Sequence, residues 1–293
     1  MSLSKNGQPI IGIVGLGVLG GATHSYFEGQ GYALRVFDPY KGHDDERGLN
    51  EAEVIFICVP TPYRPGAGFD DSALEDAISR LASSKVVVIK STVLPGTTEA
   101  YQFRYSQHCF LFNPEFLRTA TAREDFVQPD RQIVGYCAQS RHLAEELLAM
   151  LPAAPFQRIM VAREAELTKY MTNSFLALKV TFGNELFDLA TALDIDYDVV
   201  REAVSADERI GPSHLSVLQD NYRGYGGKCL PKDTKALMDL ADRLDVPLRL
   251  LRTADRINAT LLPPSELPPA TLHPLPVSSN GDREEMESEE QAA

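Results

Sequence analysis

Cysteine is scarce. The 293 residues hold four, Cys58, Cys109, Cys137 and Cys229, with no CxxC spacing. A disulfide scaffold and a structural zinc site are both excluded on that count. No apolar run reaches the ~20 residues that a membrane-spanning helix needs. Basic residues are outnumbered, 28 against 41 acids, for a net charge of −13. No basic stripe is present, which excludes a nucleic-acid surface and electrostatic docking on anionic lipid. A reducing, cytoplasmic setting is the expectation. The six histidines are scattered without triad or metal spacing, so no metal is expected. Ile10–Ala22, behind Lys5, imitates the apolar core of a signal peptide, but its glycine pattern favours another reading.

What is present is an ordinary globular balance, 44% hydrophobic and 24% charged. The length suggests roughly two domains at ~150 residues each. Short β-branched runs alternate with helical stretches through the first half. Strands are expected at 10–14, 34–37, 54–59, 86–90, 108–112 and 132–135, and helices at 18–30, 72–82 and 141–151. That alternation predicts a Rossmann-type, doubly wound parallel α/β sheet. From Arg163 to Leu193 there is no Pro and one Gly. Leu167, Tyr170, Met171, Phe175, Leu178, Phe182, Leu186 and Leu189 recur in steps of three and four. They predict one face of a helix roughly 45 Å long, opening an all-α domain. Helices are also expected at 197–205, 233–243 and 248–262. Six prolines between Pro263 and Pro276, then an acidic run, predict a disordered tail. The expected division is 1–162 cofactor domain, 163–262 helical dimerisation domain and 263–293 tail.

Gly15-Leu16-Gly17-Val18-Leu19-Gly20 matches GxGxxG directly after a strand and at the opening of a helix. Gly15 permits the tight turn, Gly17 lets backbone approach a pyrophosphate, and Gly20 lets helix and strand pack closely. Helix N-terminal amides then face the phosphates. Asp38 closes the second strand, where a carboxylate accepts hydrogen bonds from a ribose diol and repels a 2′-phosphate. NAD is favoured over NADP.

A second dense segment is Tyr222-Arg-Gly-Tyr-Gly226-Gly227-Lys228-Cys229-Leu-Pro-Lys232-Asp233. Glycines precede a cysteine near a helix start, between two lysines. A helix N-terminus and nearby cations lower a thiol pKa, which favours the nucleophilic thiolate. A buried core cysteine is the bland alternative. NAD with a reactive thiol points to a two-step oxidation. An alcohol becomes an aldehyde, the thiolate traps it as a thiohemiacetal, a second hydride transfer gives a thioester, and water releases an acid.

The segments GIVGLGVLGG, FICVPTP, KSTVLPGTT, NPEFLRTATAREDFVQPDRQIVG, AELTKYMTNSFLALKVTFGNE, RIG and GYGGKCLPKDTKAL together resemble the UDP-glucose/GDP-mannose dehydrogenase family, in the family's order across residues 10–262. The resemblance implies NAD-dependent oxidation of the C6 hydroxyl of a nucleotide sugar to a carboxylate. It implies Cys229 as nucleophile, Asp233 as the group positioning the hydrolytic water, and Lys169 and Asn173 as oxyanion stabilisers. Thr92 would order the water beside the nicotinamide, and Glu115 would act in proton transfer. Phe116, Leu117 and Arg118 would line the sugar pocket, with Tyr222 and Gly226 touching substrate. Arg209 would reach across a dimer formed through the 163–193 helix. Pro60, Thr61 and Thr92 would join the glycine turn and Asp38 around NAD.

Two departures stand out. Thr119 occupies a position where the family usually has a glutamate that organises the cofactor amide. The family's third domain, which grips the nucleotide diphosphate, has no counterpart before the prolines, so a separate chain could supply it. Two rival readings follow: a non-catalytic or partner-dependent NAD-binding dimer, and a single-step NAD-dependent hydroxyacid dehydrogenase that uses no thiol.

Overall fold

The computed structural model describes Leu3 and residues 7–82, 84–219 and 222–261. The expected disorder of 263–293 lies outside the described residues.

Seven strands form one sheet. They are β1 (Ile11–Val14), β2 (Leu34–Phe37), β3 (Val54–Ile57), β4 (Val86–Ile89), β5 (Cys109–Phe112), β6 (Arg131–Tyr136) and β7 (Phe156–Val161). Their order is β2-β1-β3-β4-β5-β6-β7. Helices α1 (Val18–Gly29), α2 (Glu46–Glu51), α3 (Ser72–Ser79), α4 (Thr97–Arg104), α5 (Ala122–Val127) and α6 (Ala144–Met150) connect them. Alternation along each strand explains why both faces are covered. Val14, Ile55, Ile57, Val87 and Ile89 pack into one apolar layer. Ile11, Ile13, Val54, Phe56, Val86 and Val88 pack into the other. Near-continuous apolar strands of this kind are what a two-sided sheet requires.

The sheet differs from the expected all-parallel form at one place. β5 and β6 are antiparallel, with Leu111 opposite Tyr136, and β6 and β7 are then parallel. β7, which the apolar pattern does not mark, is the edge strand, and its first three residues are exposed. The strand order reverses between β1 and β3, and ligands of open α/β sheets bind beyond the carboxyl ends of strands at such a point.

β7 ends at Val161 and α7 (Ala162–Ala192) starts at the next residue. The helix has two unlike faces. Ala165, Glu166, Lys169, Tyr170, Asn173, Ser174, Ala177 and Val180 are buried against the rest of the chain. Leu167, Met171, Phe175, Phe182 and Leu189, the core of the periodic apolar set, are instead 46–69% exposed. Three ties bind the first turns of α7 to the sheet layer. Arg163 pairs with Glu99 at 2.7 Å. The buried Glu166 carboxylate accepts from the backbone N–H of Gly96 (2.6 Å) and of Thr98 (2.8 Å) and from the Thr98 hydroxyl. Lys169 pairs with Glu115. Beyond α7 come α8 (Tyr197–Ser205), the hairpin β8 (Leu218–Gln219) and β9 (Tyr222–Arg223), α9 (Leu230–Arg243) and α10 (Arg249–Leu261).

Candidate active site

The cofactor end is built at the carboxyl edge of β1. Gly15 has φ +87°, and a Cβ there would lie 2.8 Å from the Cys58 carbonyl oxygen. A Cβ on Gly20 would stand 1.8 Å from the Gly15 carbonyl oxygen, whereas one on Gly17 would meet nothing within 4 Å. Turn, packing and phosphate approach are thus divided among three glycines. Gly17 is the N-cap of α1, and no side chain caps the helix. Its first amides are left for a ligand's anionic oxygens. Asp38 Oδ2 accepts the Leu16 N–H at 2.7 Å, and Lys41 Nζ donates to the Leu16 carbonyl at 2.6 Å. The acid that closes β2 therefore steadies the glycine turn. After β3 and β4, the Thr61 hydroxyl donates to the Thr92 carbonyl at 2.7 Å. Ser91 Oγ donates to the Val59 carbonyl at the same distance.

The chemical end is a cavity of about 1180 Å³. Glu115, Phe116, Leu117 and Arg118, after β5, line it together with Lys169 and Asn173 of α7 and with Gly226 and Cys229. Lys169 and Asn173, at i and i+4, reach it from one helix face. Cys229 is the N-cap of α9, with Pro231 in the first turn. It is exposed, whereas Cys58 and Cys137 are buried.

Two polar couples organise the floor. Lys169 Nζ donates to Glu115 Oε1 at 2.8 Å, while Glu115 Oε2 accepts the Leu117 N–H at 2.7 Å. Burial pushes the Glu115 carboxyl up, but the Lys169 charge and hydrogen bond, the Leu117 amide and the Lys90 charge outweigh it. The carboxyl sits below its usual range. In the second couple, Asn173 Nδ2 donates to Asp233 Oδ2 at 2.5 Å. Asp233 is 1% exposed. Its other oxygen lies 2.6 Å from Lys232 Nζ as an ion pair, and neither atom has a hydrogen bond beyond that contact among the described residues.

The thiol differs from the sequence expectation. Desolvation raises the Cys229 pKa; Lys169 is the main charge lowering it, Asp233 and Glu115 raise it, and Lys232 lowers it least. The flanking lysines thus matter less than a lysine 60 positions away, and the net direction is upward.

Of the other expected residues, Tyr222 and Arg209 fall outside the cavity wall. Tyr222 packs on Gly226, where a Cβ would meet its hydroxyl. Arg209 is exposed and pairs with Asp207. Arg118 lines the cavity but its guanidinium is held by Asp125 at 2.6 Å. Two lining residues were missed. Lys90 is buried, donates to Asn113 Oδ1 at 2.5 Å, and is pushed down to about 8 by desolvation. Arg131 stacks its guanidinium 3.8 Å from the Phe116 ring centroid. A lysine closing the buried VVVI strand was the available signal for the first.

Family comparison agrees with this layout. Residues 40–151 match the NAD binding domain of the UDP-glucose/GDP-mannose dehydrogenase family, and residues 163–260 match its central domain. The solved UDP-glucose dehydrogenase of Pyrobaculum islandicum is 30% identical, with a TM-score of 0.75, over 85% of this chain and 68% of that one. The chain belongs to the UDP-glucose/GDP-mannose dehydrogenase family. Among its curated relatives, the UDP-glucose 6-dehydrogenase of Pseudomonas aeruginosa is 36% identical over 232 residues, 72% of this chain and 49% of the relative. That of Bacillus subtilis is 33% identical over 225 residues, 73% of this chain and 50% of the relative. The chain spans about half the length of these relatives. As a family member it carries the NAD-binding domain, and NAD is its cofactor. The residues fit that group: the uncapped start of α1 and the open space at Gly17 would admit a diphosphate, and the Asp38 carboxylate, just after β2, would suit a ribose diol. No described helix is long and apolar enough to cross a membrane.

Proposed function

We propose that this chain oxidises the C6 hydroxyl of a nucleotide sugar of the UDP-glucose type to a carboxylate. The reading rests on one observation: Cys229, the Lys169–Glu115 pair and Asn173, bonded to Asp233, converge on one cavity. NAD supplies the chemistry of hydride acceptance, once for each oxidation step. The chain's own residues do the rest. Glu115, held ionised by Lys169, accepts the hydroxyl proton. The Cys229 thiolate adds to the aldehyde carbon, and Lys169 Nζ and Asn173 Nδ2 are fixed donors for the oxygen that gains charge. After the second oxidation a thioester remains, and water adds to its carbonyl carbon. Asp233, through the oxygen not bonded to Asn173, orients that water, and the carbon–sulfur bond breaks to release the acid and Cys229. Phe116, Leu117, Arg118 and Gly226 bound the sugar, with Tyr222 seating Gly226. Thr92, whose carbonyl accepts the Thr61 hydroxyl, would order water beside the nicotinamide.

The exposed apolar stripe of α7 supports a homodimer through that helix, with Arg209 reaching toward the partner. Synthesis of a polysaccharide precursor in the cytoplasm is the setting this chemistry serves. Spectrophotometric NAD reduction with a panel of nucleotide sugars tests the activity, and undiminished turnover by Cys229→Ser sinks the thiol mechanism. The rival reading is a non-catalytic or partner-dependent NAD-binding dimer. NAD binding by the wild type without sugar-nucleotide binding selects it.

A further inference from the structure

A second cavity, of about 490 Å³, lies between the opening of α1 and the segment from Thr119 to Glu124. Leu16, Gly17, Val18 and Gly21 form one wall, and Thr119, Thr121 and Arg123 belong to the other. Neither Gly17 nor Gly21 has any atom within 4 Å of where a Cβ would be, so the α1 wall is open backbone. The helix start has neither a side-chain cap nor an acid in its first turn. The α1 wall is therefore the anion-facing part of the cofactor cleft.

The opposite wall carries a cation with nothing to hold it. Arg118, a few residues before, is engaged by Asp125, and Thr121 also donates to Asp125 at 2.9 Å. Arg123 is exposed and makes no hydrogen bond or ion pair among the described residues. We propose that Arg123 is a cofactor-binding residue that contacts the NAD diphosphate from the side opposite the α1 amides. This rests on the assignment of NAD as cofactor. A guanidinium presents a planar fork of donors matched to phosphate oxygens, and it stays charged across the working pH range. Glu124 lines the same cavity and opposes the anion. Arg123 offsets that acid as well as reaching the ligand. Backbone amides alone fix where the diphosphate sits, while a side-chain cation adds affinity that depends on salt.

The test is calorimetric titration of the full chain with NAD, ADP and adenosine at low and moderate salt. Arg123→Gln is expected to weaken NAD and ADP roughly tenfold, the scale of a charge-assisted hydrogen bond. Adenosine binding stays unchanged, and the salt dependence of ADP binding becomes shallower. Arg123→Lys keeps part of the ADP affinity. Glu124→Gln leaves ADP binding equal or tighter. Wild-type ADP affinity in Arg123→Gln overturns the assignment. So does an equal loss for adenosine, or a loss in Glu124→Gln as large as that in Arg123→Gln. If the wild type binds neither NAD nor ADP, the cofactor assignment falls first and this one with it.

Discussion

Lys169 on α7 donates to the Glu115 carboxylate at 2.8 Å, although 54 residues separate them, and the two side chains are 6% and 17% exposed. A carboxyl depressed in the folded state binds fewer protons than in the unfolded chain. Its stabilisation is therefore complete above the unfolded carboxylate pKa, ~4.3, and is lost as pH falls through the folded value. The urea midpoint of the wild type should fall on acidification from pH 6 to pH 3 by more than that of Glu115→Gln. Equal falls would remove Glu115 from the account. Lys169→Met should cost roughly 3 kcal/mol at pH 7, since it strands a buried charge, and adding Glu115→Gln should restore much of that.

The two glycines of the turn should separate folding from binding. Gly20→Ala drives a Cβ into the Gly15 carbonyl, and a clash with backbone costs about 2 kcal/mol or more. Gly17→Ala meets no atom, so its Tm should stay near wild type while NAD binding is lost. Thermal melts with and without NAD distinguish the two, and equal melting losses would contradict the division of roles.

Cys229 is the exposed thiol among the four, so iodoacetamide should label it first. Because desolvation by its surroundings raises its pKa, the rate at pH 7 should be slow and rise steeply with alkalinity. Asp233→Asn removes a charge that raises the thiol and should speed labelling several-fold at pH 8. A faster rate at pH 7 than that of a free cysteine peptide would show an activated thiolate instead.

Lys90 is pushed down to about 8 by desolvation. Between pH 8 and the unfolded lysine value, ~10.4, the unfolded chain holds a proton that the folded one has lost, so this group's contribution to stability rises with pH there and is flat below. The stability difference between wild type and Lys90→Met, from urea titrations at pH 7 to 10, should move toward the wild type over that range. No movement would mean Lys90 keeps its proton.

The sheet was legible where burial dictates composition. VVVI and VIFI can hardly be anything but central strands, and the glycine turn announces itself by following one. β7 was not, because Gln157 and Arg158 face solvent on an edge and break the apolar run. The short α4, TTEAYQFR, carries too few apolar residues to show a period. In the site, i and i+4 spacing put Lys169 and Asn173 together, and the glycine loop exposed Cys229. The Lys169–Glu115 and Asn173–Asp233 couples depend on how α7 lies across the ends of β5 and α9, which no local pattern encodes. For the same reason the thiol's dominant cation was misjudged: chain neighbours were counted where spatial ones decide.

The three carboxylate ties along the first turns of α7, at Glu99, Glu166 and Glu115, have a mechanical consequence. They succeed one another at about one-turn intervals, so that stretch of helix moves as part of the sheet. The change of architecture near Ala162 is then a weld and not a pivot. Lys169, the last of the three anchor points, and Asn173, one turn on, thus take their positions from the sheet and not from the free length of the rod.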